Sequence, residues 1–320
     1  MRAWFESSFP EATPPQAQGW PAIASGEHTL ILAPTGSGKT LSAFLWAIDR
    51  LVSRPAPTER THRTRLLYVS PLRALAVDVE KNLRSPLQGI RLAAERLGEP
   101  YTEPTVGMRT GDTPADERRL LVRNPPDILI TTPESLYLML TSSARETLRS
   151  VRTVIVDEIH AIAATKRGAH LMLSLERLEA LTDTPPQRIG LSATQRPLEE
   201  IARLLGGFEA PDRLRDVAVV DAGRRKTLAL EIIVPVDDMA DLSIRPAEPS
   251  HAQLTDEPDH TSIWPSIHPV LLDLIRAHRS TIVFVNNRRS AERLASRLNE
   301  LADEDLVRAH HGSIAREQRL

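Results

Sequence analysis

The segment Leu30-Ile31-Leu32-Ala33-Pro34-Thr35-Gly36-Ser37-Gly38-Lys39-Thr40 decides the fold of this chain. Its three leading apolar residues predict the end of a buried strand, and the apolar-rich stretch 41–48 predicts a helix directly after the loop. Small loop residues let backbone N–H groups approach phosphates, and the start of a helix adds partial positive charge. The segment therefore predicts a nucleoside triphosphate site, although its first loop position is Ala33 where the strict pattern has glycine.

Each part of this loop has an expected role. Lys39 would reach the β and γ phosphates, and the Thr40 hydroxyl would hold Mg²⁺. A chance match on a surface turn is the alternative, which the flanking strand and helix patterns disfavour. The residues expected to surround the nucleotide phosphates are Pro34, Thr35, Gly36, Ser37, Gly38, Lys39 and Thr40.

Composition narrows the class of protein. The chain has 320 residues, 41% hydrophobic content, 26% charged residues and a net charge of −2, which is typical of a globular protein with about two domains. Because this charge is not strongly basic, any contact with nucleic acid must be local. The absence of cysteine excludes disulfides, thiolate catalysis and cysteine-based zinc sites. No uninterrupted apolar stretch could span a bilayer and no signal peptide is visible, so we expect a cytoplasmic protein without a membrane partner.

Short apolar runs alternate with helical patterns, which predicts a parallel sheet covered by helices on both faces. Active sites in such sheets lie at the carboxyl ends of the strands. Helices are predicted at, among other places, Leu41–Val52, Leu72–Leu83 and Ala169–Leu181. Strands are predicted at Thr29–Ala33, Leu66–Ser70, Thr105–Arg109, Ile128–Thr131, Thr153–Asp157, Arg188–Ser192 and Val217–Val220.

A proline- and acid-rich stretch from about residue 235 to 259 interrupts this alternation and is expected to be a linker or insertion. A second, incomplete α/β unit is expected beyond it. Its predicted helices are Pro269–His278 and Ser290–Leu301, and its predicted strands are Thr281–Val285 and Leu306–Ala309.

Paired acids follow one of the buried strands. Asp157 and Glu158 come directly after Thr153-Val154-Ile155-Val156, the arrangement in which an acid holds the shell of a nucleotide-bound Mg²⁺. Asp157 is expected to serve the metal, and Glu158 to orient and deprotonate the attacking water. Capping of the next helix is the alternative for either acid.

The order of the phosphate loop, Asp157-Glu158-Ile159-His160 and Ser192-Ala193-Thr194 resembles that of superfamily 2 helicases, and further segments resemble the Lhr (large helicase-related) family. The further segments are Ser70–Leu75, Arg109–Thr113, Thr131–Leu136, Ile282–Arg289 and His310–Ser313. The resemblance implies two RecA-like domains with ATP between them. The chain would contain an ATP-binding domain over residues 1–225, a linker over 226–265 and a truncated start of the second domain over 266–320.

The resemblance also assigns the adenine and coupling residues. Gln16 is similar to the Q-motif glutamine, whose amide complements the adenine N7 and N6 edge. A stacking role for Phe5 or Phe9 on the base is open, with ordinary packing as the alternative. His160, Ser192, Ala193 and Thr194 would couple the nucleotide state to strand separation, although a helix-capping turn is the alternative for the last three.

For nucleic acid, the resemblance implies phosphate contacts at strand ends, where hydroxyls, arginines and exposed N–H groups suit phosphate oxygens without reading bases. Glu134 would cap a helix or orient Arg73, because a carboxylate cannot contact a phosphate directly. The arginines have a solvated surface role as their alternative. The implied contact residues are Pro71, Arg73, Arg109, Gly111, Thr131, Thr132, Pro133, Asn286, Arg288, His311 and Gly312.

The resemblance therefore implies an ATP- and Mg²⁺-dependent helicase or translocase acting on single-stranded DNA or a DNA/RNA hybrid, in a DNA-repair setting. The arginine-finger motif of the second domain does not occur in residues 1–320, so we expect weak hydrolysis by this polypeptide alone. Two alternatives stay open: a nucleotide-gated nucleic-acid-binding fragment without productive turnover, and an RNA helicase of the DEAD-box kind. Ile159-His160 argues against the second alternative.

Overall fold

The computed structural model describes residues 1–193, 196–223, 229–235 and 263–310, with the backbone alone at residues 73 and 74. Its internal contacts define two compact units, Met1–Lys226 and Thr227–Leu320. The predicted boundary at 225 stays a prediction, and most of the predicted linker lies outside the described residues. No helix in the described parts of the chain is both long and apolar enough to cross a membrane.

The first unit is built on a seven-stranded sheet in which every neighbouring pair is parallel, in the order β3-β4-β2-β5-β6-β1-β9. A separate antiparallel pair is formed by β7 and β8. All seven strands predicted for this unit are confirmed to within one residue at either end. The strands are β1 (His28–Leu32), β2 (Leu66–Val69), β3 (Val106–Arg109), β4 (Ile128–Thr131), β5 (Thr153–Val156), β6 (Gln187–Ser192), β7 (Phe208–Ala210), β8 (Arg213–Leu214) and β9 (Val217–Asp221).

Helices cover both faces of this sheet, as the sequence predicted. Successive strand residues point to opposite faces, so Ile31 packs in one apolar cluster with α1 to α4, whereas Leu30 and Leu32 pack in another with α6 to α9. The helices of this unit are α1 (Arg2–Ser8), α2 (Pro14–Ser25), α3 (Lys39–Val52), α4 (Arg73–Leu97), α5 (Ala115–Arg123), α6 (Pro133–Leu140), α7 (His160–Ala163), α8 (Lys166–Leu181) and α9 (Leu198–Gly206).

Helix α4 is longer than its sequence suggested. The prediction ended at Leu83, but the helix continues through Pro86 to Leu97. Proline removes one hydrogen bond of the helix, while Leu83, Leu87 and Ile90 are buried along one side of it. Burial of this apolar stripe therefore outweighs the local cost of the proline.

In the second unit, α10 (Trp264–Ala277) and α11 (Arg288–Ala302) confirm the two predicted helices and pack through Leu272, Leu294 and Leu298. The strands predicted at Thr281–Val285 and Leu306–Ala309 are wrong, because both segments lack strand pairing among the described residues. β-Branched and aromatic residues favour a strand only where a neighbouring strand can pair with it. Phe284 accordingly stays 90% exposed.

Candidate active site

The loop between β1 and α3 has the backbone that a phosphate-binding turn needs. Gly36 and Gly38 have φ of 79° and 84°, in the left-handed region that favours glycine. A Cβ at position 38 would also lie 2.9 Å from Nε2 of Gln16, too close for a side chain. The loop is tied to the sheet by a hydrogen bond of 3.1 Å from the Ala33 amide to the Ser192 carbonyl. Helix α3 then begins at Lys39, so its free N–H groups border the loop.

Lys39 is 5% exposed and points back across the loop. Its Nζ lies 3.2 Å from Oε1 of Glu158 and donates to the Ala33 carbonyl at 3.4 Å. The structure therefore brings Lys39 and Glu158 into direct contact, although 119 positions separate them in the sequence. Their catalytic roles stay predictions.

Asp157 lies at the carboxyl end of β5 in a buried position. One of its oxygens accepts a hydrogen bond from the hydroxyl of Tyr68, and the other accepts one from the Glu158 amide at 2.8 Å. Burial raises the pKa of Asp157 above the usual carboxyl range, the Tyr68 hydrogen bond opposes that rise, and the charge of Glu158 adds to it. A cation beside this carboxylate would therefore relieve an unfavourable charge.

Glu158 has φ of 46°, in the left-handed region although it is not a glycine. Such a conformation costs roughly 1–3 kcal/mol and persists only where the surroundings hold it. The next amide, of Ile159, donates to the Leu191 carbonyl at 3.1 Å, which fixes the chain against β6. This turn aims the Glu158 carboxylate at both Lys39 and His160.

His160 connects the acid pair to the end of β6. Its Nε2 lies 3.3 Å from Oε2 of Glu158, and the Ala193 amide donates to its Nδ1 at 3.2 Å. Since Nδ1 accepts, the neutral ring carries its proton on Nε2, facing Glu158. Ser192 uses its hydroxyl to reach the Ala193 carbonyl at 2.9 Å. Thr194, the last predicted coupling residue, lies outside the described residues.

Gln16 is 3% exposed at the start of α2 and borders the phosphate loop. Its Oε1 accepts a hydrogen bond from the Thr13 amide at 2.9 Å, so the oxygen predicted to read adenine already has a partner. Phe5 and Phe9 pack in an aromatic cluster with Trp20, with 5.0 Å between the Phe5 and Phe9 ring centroids. Packing thus accounts for both phenylalanines without a base.

The residues around the loop fit a bound nucleotide and its metal. The buried hydroxyl of Thr13 borders the loop, since a Cβ at Gly38 would lie 3.1 Å from it. The buried acid with a raised pKa supplies a hard oxygen ligand of the type that Mg²⁺ prefers. Asp157 and the Thr40 hydroxyl are the groups that would hold the metal. Among the described residues, no cluster of three or more His, Asp or Glu could hold a metal by itself.

Several predicted nucleic-acid contacts share one part of the sheet, because β3, β4 and β2 are neighbours. We call Pro71, Arg109, Gly111 and residues 131–133, at the carboxyl ends of these strands, the nucleic-acid edge. The Thr131 hydroxyl donates to the Arg109 carbonyl at 2.8 Å, and Thr132 caps α6 by accepting from the Ser135 amide. Burial and the charge of Arg118 lower the pKa of Arg109, so a phosphate would relieve this crowding.

The remaining predicted nucleic-acid contacts lie outside the described residues or in the second unit. Arg73 begins α4, but its side chain lies outside the described part of the structure, as do His311 and Gly312. Asn286 and Arg288 lie at the start of α11, in the second unit. Their roles stay predictions.

Sequence reasoning missed two side chains of this site. Tyr68 contacts Asp157 from β2, and Arg167 from α8 contacts both Glu134 and Pro71. Glu134 lies in the first turn of α6, and its carboxylate is paired with Arg167. Its predicted roles in capping that helix or orienting Arg73 stay predictions. The sole signal for Tyr68 was a polar hydroxyl in the otherwise aliphatic run 66–69, and nothing in the sequence pointed to Arg167.

A parallel sheet with helices on both faces, a glycine-bearing loop before a helix, and paired acids facing that loop define a RecA-like, P-loop nucleotide-binding domain. The particular family follows from residues 13–201, which match the sequence profile of the DEAD/DEAH box helicases. The chain belongs to the DEAD/DEAH box helicase family.

Relatives confirm the resemblance to the Lhr family. The chain is 54% identical over 351 residues to a Lhr helicase/probable uracil glycosylase of Mycolicibacterium smegmatis, covering 99% of this chain and 22% of that protein. It is 41% identical over 323 residues to the ATP-dependent helicase Lhr-Core protein 2 of Thermococcus barophilus, covering 100% of this chain and 36% of that protein. The chain thus spans between about a fifth and about a third of these relatives' length.

A solved structure of a relative has the same fold. The structure of Mycobacterium smegmatis helicase Lhr bound to ssDNA and AMP-PNP has a TM-score of 0.78 and 55% identity, covering 99% of this chain and 38% of that one. The predicted RecA-like fold is therefore confirmed.

Proposed function

We propose that this chain is the ATP-binding motor domain, with part of a second domain, of an ATP-dependent helicase or translocase that acts on single-stranded DNA. One observation carries the proposal: Lys39 contacts Glu158, Glu158 contacts His160, and His160 accepts from the Ala193 amide. This continuous series of polar contacts runs from the phosphate loop to the segment after β6. It gives the nucleotide site a physical connection to a neighbouring strand end.

The proposed chemistry depends on competition between the Glu158 carboxylate and the nucleotide phosphates for the Lys39 amine. The amine lies 3.2 Å from Oε1 of Glu158. Phosphate oxygens would draw the amine away, which leaves the Glu158 carboxylate free to orient a water molecule and accept its proton. Mg²⁺, when bound at Asp157 and Thr40, would neutralise the negative charge on the phosphates. Glu158 also touches His160, so its change of partner would alter the hydrogen bond to Ala193.

The nucleic acid is proposed from the edge formed by β2, β3 and β4, whose hydroxyls and backbone groups suit phosphate oxygens. The mycobacterial relative was solved with single-stranded DNA bound to it. Action on DNA/RNA hybrids, a role in DNA repair and a cytoplasmic location are parts of the same proposal, supported by the Lhr resemblance.

The first test is nucleotide affinity. Lys39→Ala should weaken binding of a fluorescent ATP analogue with Mg²⁺ about tenfold or more, since hydrogen bonds to charged groups contribute about 1.5–3 kcal/mol. Lys81→Ala removes an exposed lysine of α4 and serves as the matched control. Equal affinity of Lys39→Ala and the unaltered protein would refute the nucleotide site.

The second test concerns turnover. ATP hydrolysis by the 320-residue chain should be measured alone and with single-stranded DNA, single-stranded RNA and a hybrid. Stimulation by DNA supports the proposal, whereas stimulation by RNA alone favours an RNA helicase. Nucleotide-dependent DNA binding without hydrolysis in any arm favours the binding fragment without turnover.

A further inference from the structure

Arg167, the second residue of α8, joins two segments that are far apart in the sequence. Its Nε and Nη2 donate to the two carboxylate oxygens of Glu134 at 2.5 and 3.0 Å, and its Nη1 donates to the Pro71 carbonyl at 2.6 Å. A bidentate arginine–carboxylate pair fixes orientation as well as charge. The third bond adds the loop after β2 to the same cluster.

This cluster lies beside the nucleic-acid edge. Pro71 belongs to the nucleic-acid edge, and Glu134 directly follows the edge residue Pro133 in the first turn of α6. The Glu134 side chain is 57% exposed, so a passing phosphate would meet its charge. The hydrogen bond from Arg167 lowers the pKa of Glu134, and Glu134 in turn raises the pKa of Arg167. Both groups therefore stay ionised as a pair.

We propose that Arg167 is a positioning residue of the nucleic-acid edge: it neutralises Glu134 and holds the Pro71 loop beside the start of α6. The inference rests on the proposed function, because it assumes that nucleic acid passes over this edge. A phosphate then meets hydroxyl and backbone donors next to a neutral pair. Without Arg167 it would meet an uncompensated carboxylate.

The pair allows a charge-removal test with little risk to folding. Exposed ion pairs contribute only about 0.2–1 kcal/mol to stability, so single substitutions should leave the protein folded. The measurement is fluorescence anisotropy of a labelled twelve-nucleotide oligo(dT) with the full 320-residue chain, in the presence of AMP-PNP and Mg²⁺. The variants are Arg167→Ala, Glu134→Gln and the double variant. Arg203→Ala, which breaks the exposed Arg203–Glu200 pair of α9, is the matched control.

Arg167→Ala should weaken oligonucleotide binding about three- to tenfold, the scale of one unscreened charge a few ångströms from a phosphate. Glu134→Gln should bind as well as the unaltered protein or better. The double variant should recover most of the loss, because the carboxylate that repels the phosphate is gone. Because Arg167 is not proposed to contact the strand, Arg167→Ala should change the slope of log affinity against log salt by less than the about 0.7 expected for loss of one phosphate contact.

Two results would overturn the inference while leaving the proposed function standing. One is equal binding by Arg167→Ala and the unaltered protein. The other is a double variant that binds as poorly as Arg167→Ala, which would mean that repulsion by an unpaired Glu134 is not the cause of the weaker binding. If the unaltered protein binds AMP-PNP but no oligonucleotide, the nucleic-acid part of the proposed function fails, and this inference fails with it.

Discussion

The substitution Gly168→Ala should break the polar contact between the nucleotide site and the end of β6. Gly168 lies in the first turn of α8, and an added Cβ would be 2.2 Å from the carbonyl oxygen of Ile162 and 2.8 Å from its carbonyl carbon. Both atoms belong to the backbone of α7, so no side-chain rotation can relieve the clash. Helix α7 must move by roughly 1 Å to restore ordinary contact. His160 begins that helix, and its 3.2 Å bond with the Ala193 amide would be lost.

The expected magnitude combines two opposing effects. Overpacking costs about 1–3 kcal/mol, whereas alanine gains about 1 kcal/mol over glycine within a helix. Because both contacts are with backbone atoms, the overpacking cost lies in the upper part of that range, at about 2–3 kcal/mol. The net loss in the free energy of unfolding is therefore about 1–2 kcal/mol. In a unit of this size each kcal/mol lowers Tm by about 2–4 °C, so Gly168→Ala should lower Tm by about 2–8 °C.

Thermal melting by circular dichroism measures this loss, and DNA-stimulated ATP hydrolysis measures the uncoupling. Gly19→Ala is the matched control, because Gly19 is also helical but its added Cβ would be 3.0 Å from Cδ1 of Ile31, the end of a flexible side chain. That variant should melt at the same temperature as the unaltered protein or higher. A Tm for Gly168→Ala at or above that of the unaltered protein would contradict the steric argument.

Four further substitutions concern titratable groups that are buried or partly buried. Asp157→Asn should raise the Tm of the nucleotide-free protein, because the raised pKa of Asp157 in the folded state makes its ionised carboxylate costly at neutral pH. The pKa of Asp127 is lowered instead, so Asp127→Asn should reduce the free energy of unfolding, measured by chemical denaturation, by about 2–3 kcal/mol. Tyr68→Phe keeps the ring stacked on Phe44 but removes the donor to Asp157, so nucleotide binding should need more Mg²⁺ in a titration. Burial and the charges of Arg188 and Arg215 lower the pKa of His28, so its contribution to stability is present above about pH 6.5 and is lost as pH falls. His28→Asn should flatten the fall in Tm between pH 7 and pH 5, and an unchanged profile would contradict this.

The sequence was sufficient to predict the seven strands of the large sheet because they are short apolar runs bounded by turn residues. It was equally informative about the phosphate loop and the acids after β5, whose meeting follows from strand ends sharing one edge of a parallel sheet. It failed at Thr281–Val285, where the same type of apolar run has no partner strand among the described residues. A β-strand forms only where a neighbouring strand pairs with it, and the composition of one segment does not show whether such a neighbour is present.

The sequence also did not predict which distant side chains pair with each other. Arg188 looks like an ordinary polar start of a strand, yet it is fully buried and bonded to Glu176 and Glu179 of α8. Tyr68 and Asp157 are 89 positions apart, and Arg167 and Pro71 are 96 apart. Such pairs depend on how the helices lie on the sheet, which no local pattern encodes.

Two buried aspartates of the first unit show how the groups around a buried acid set the direction of its pKa shift. Burial alone would raise the pKa of Asp127, but hydrogen bonds from Thr105 and the charges of Arg63 and Arg65 hold it below its usual range. Its charge is thus fully compensated by the protein, and it has no need of a ligand.

Asp157 is buried to a similar degree but receives less compensation. Tyr68 and one backbone amide donate to it, the nearby Glu158 carries the same charge, and the pKa stays raised. The strained backbone of Glu158 directly follows this acid. A cation beside Asp157 would reduce the unfavourable energy of its buried charge. The free protein therefore gives up stability where the bound nucleotide and metal would restore it.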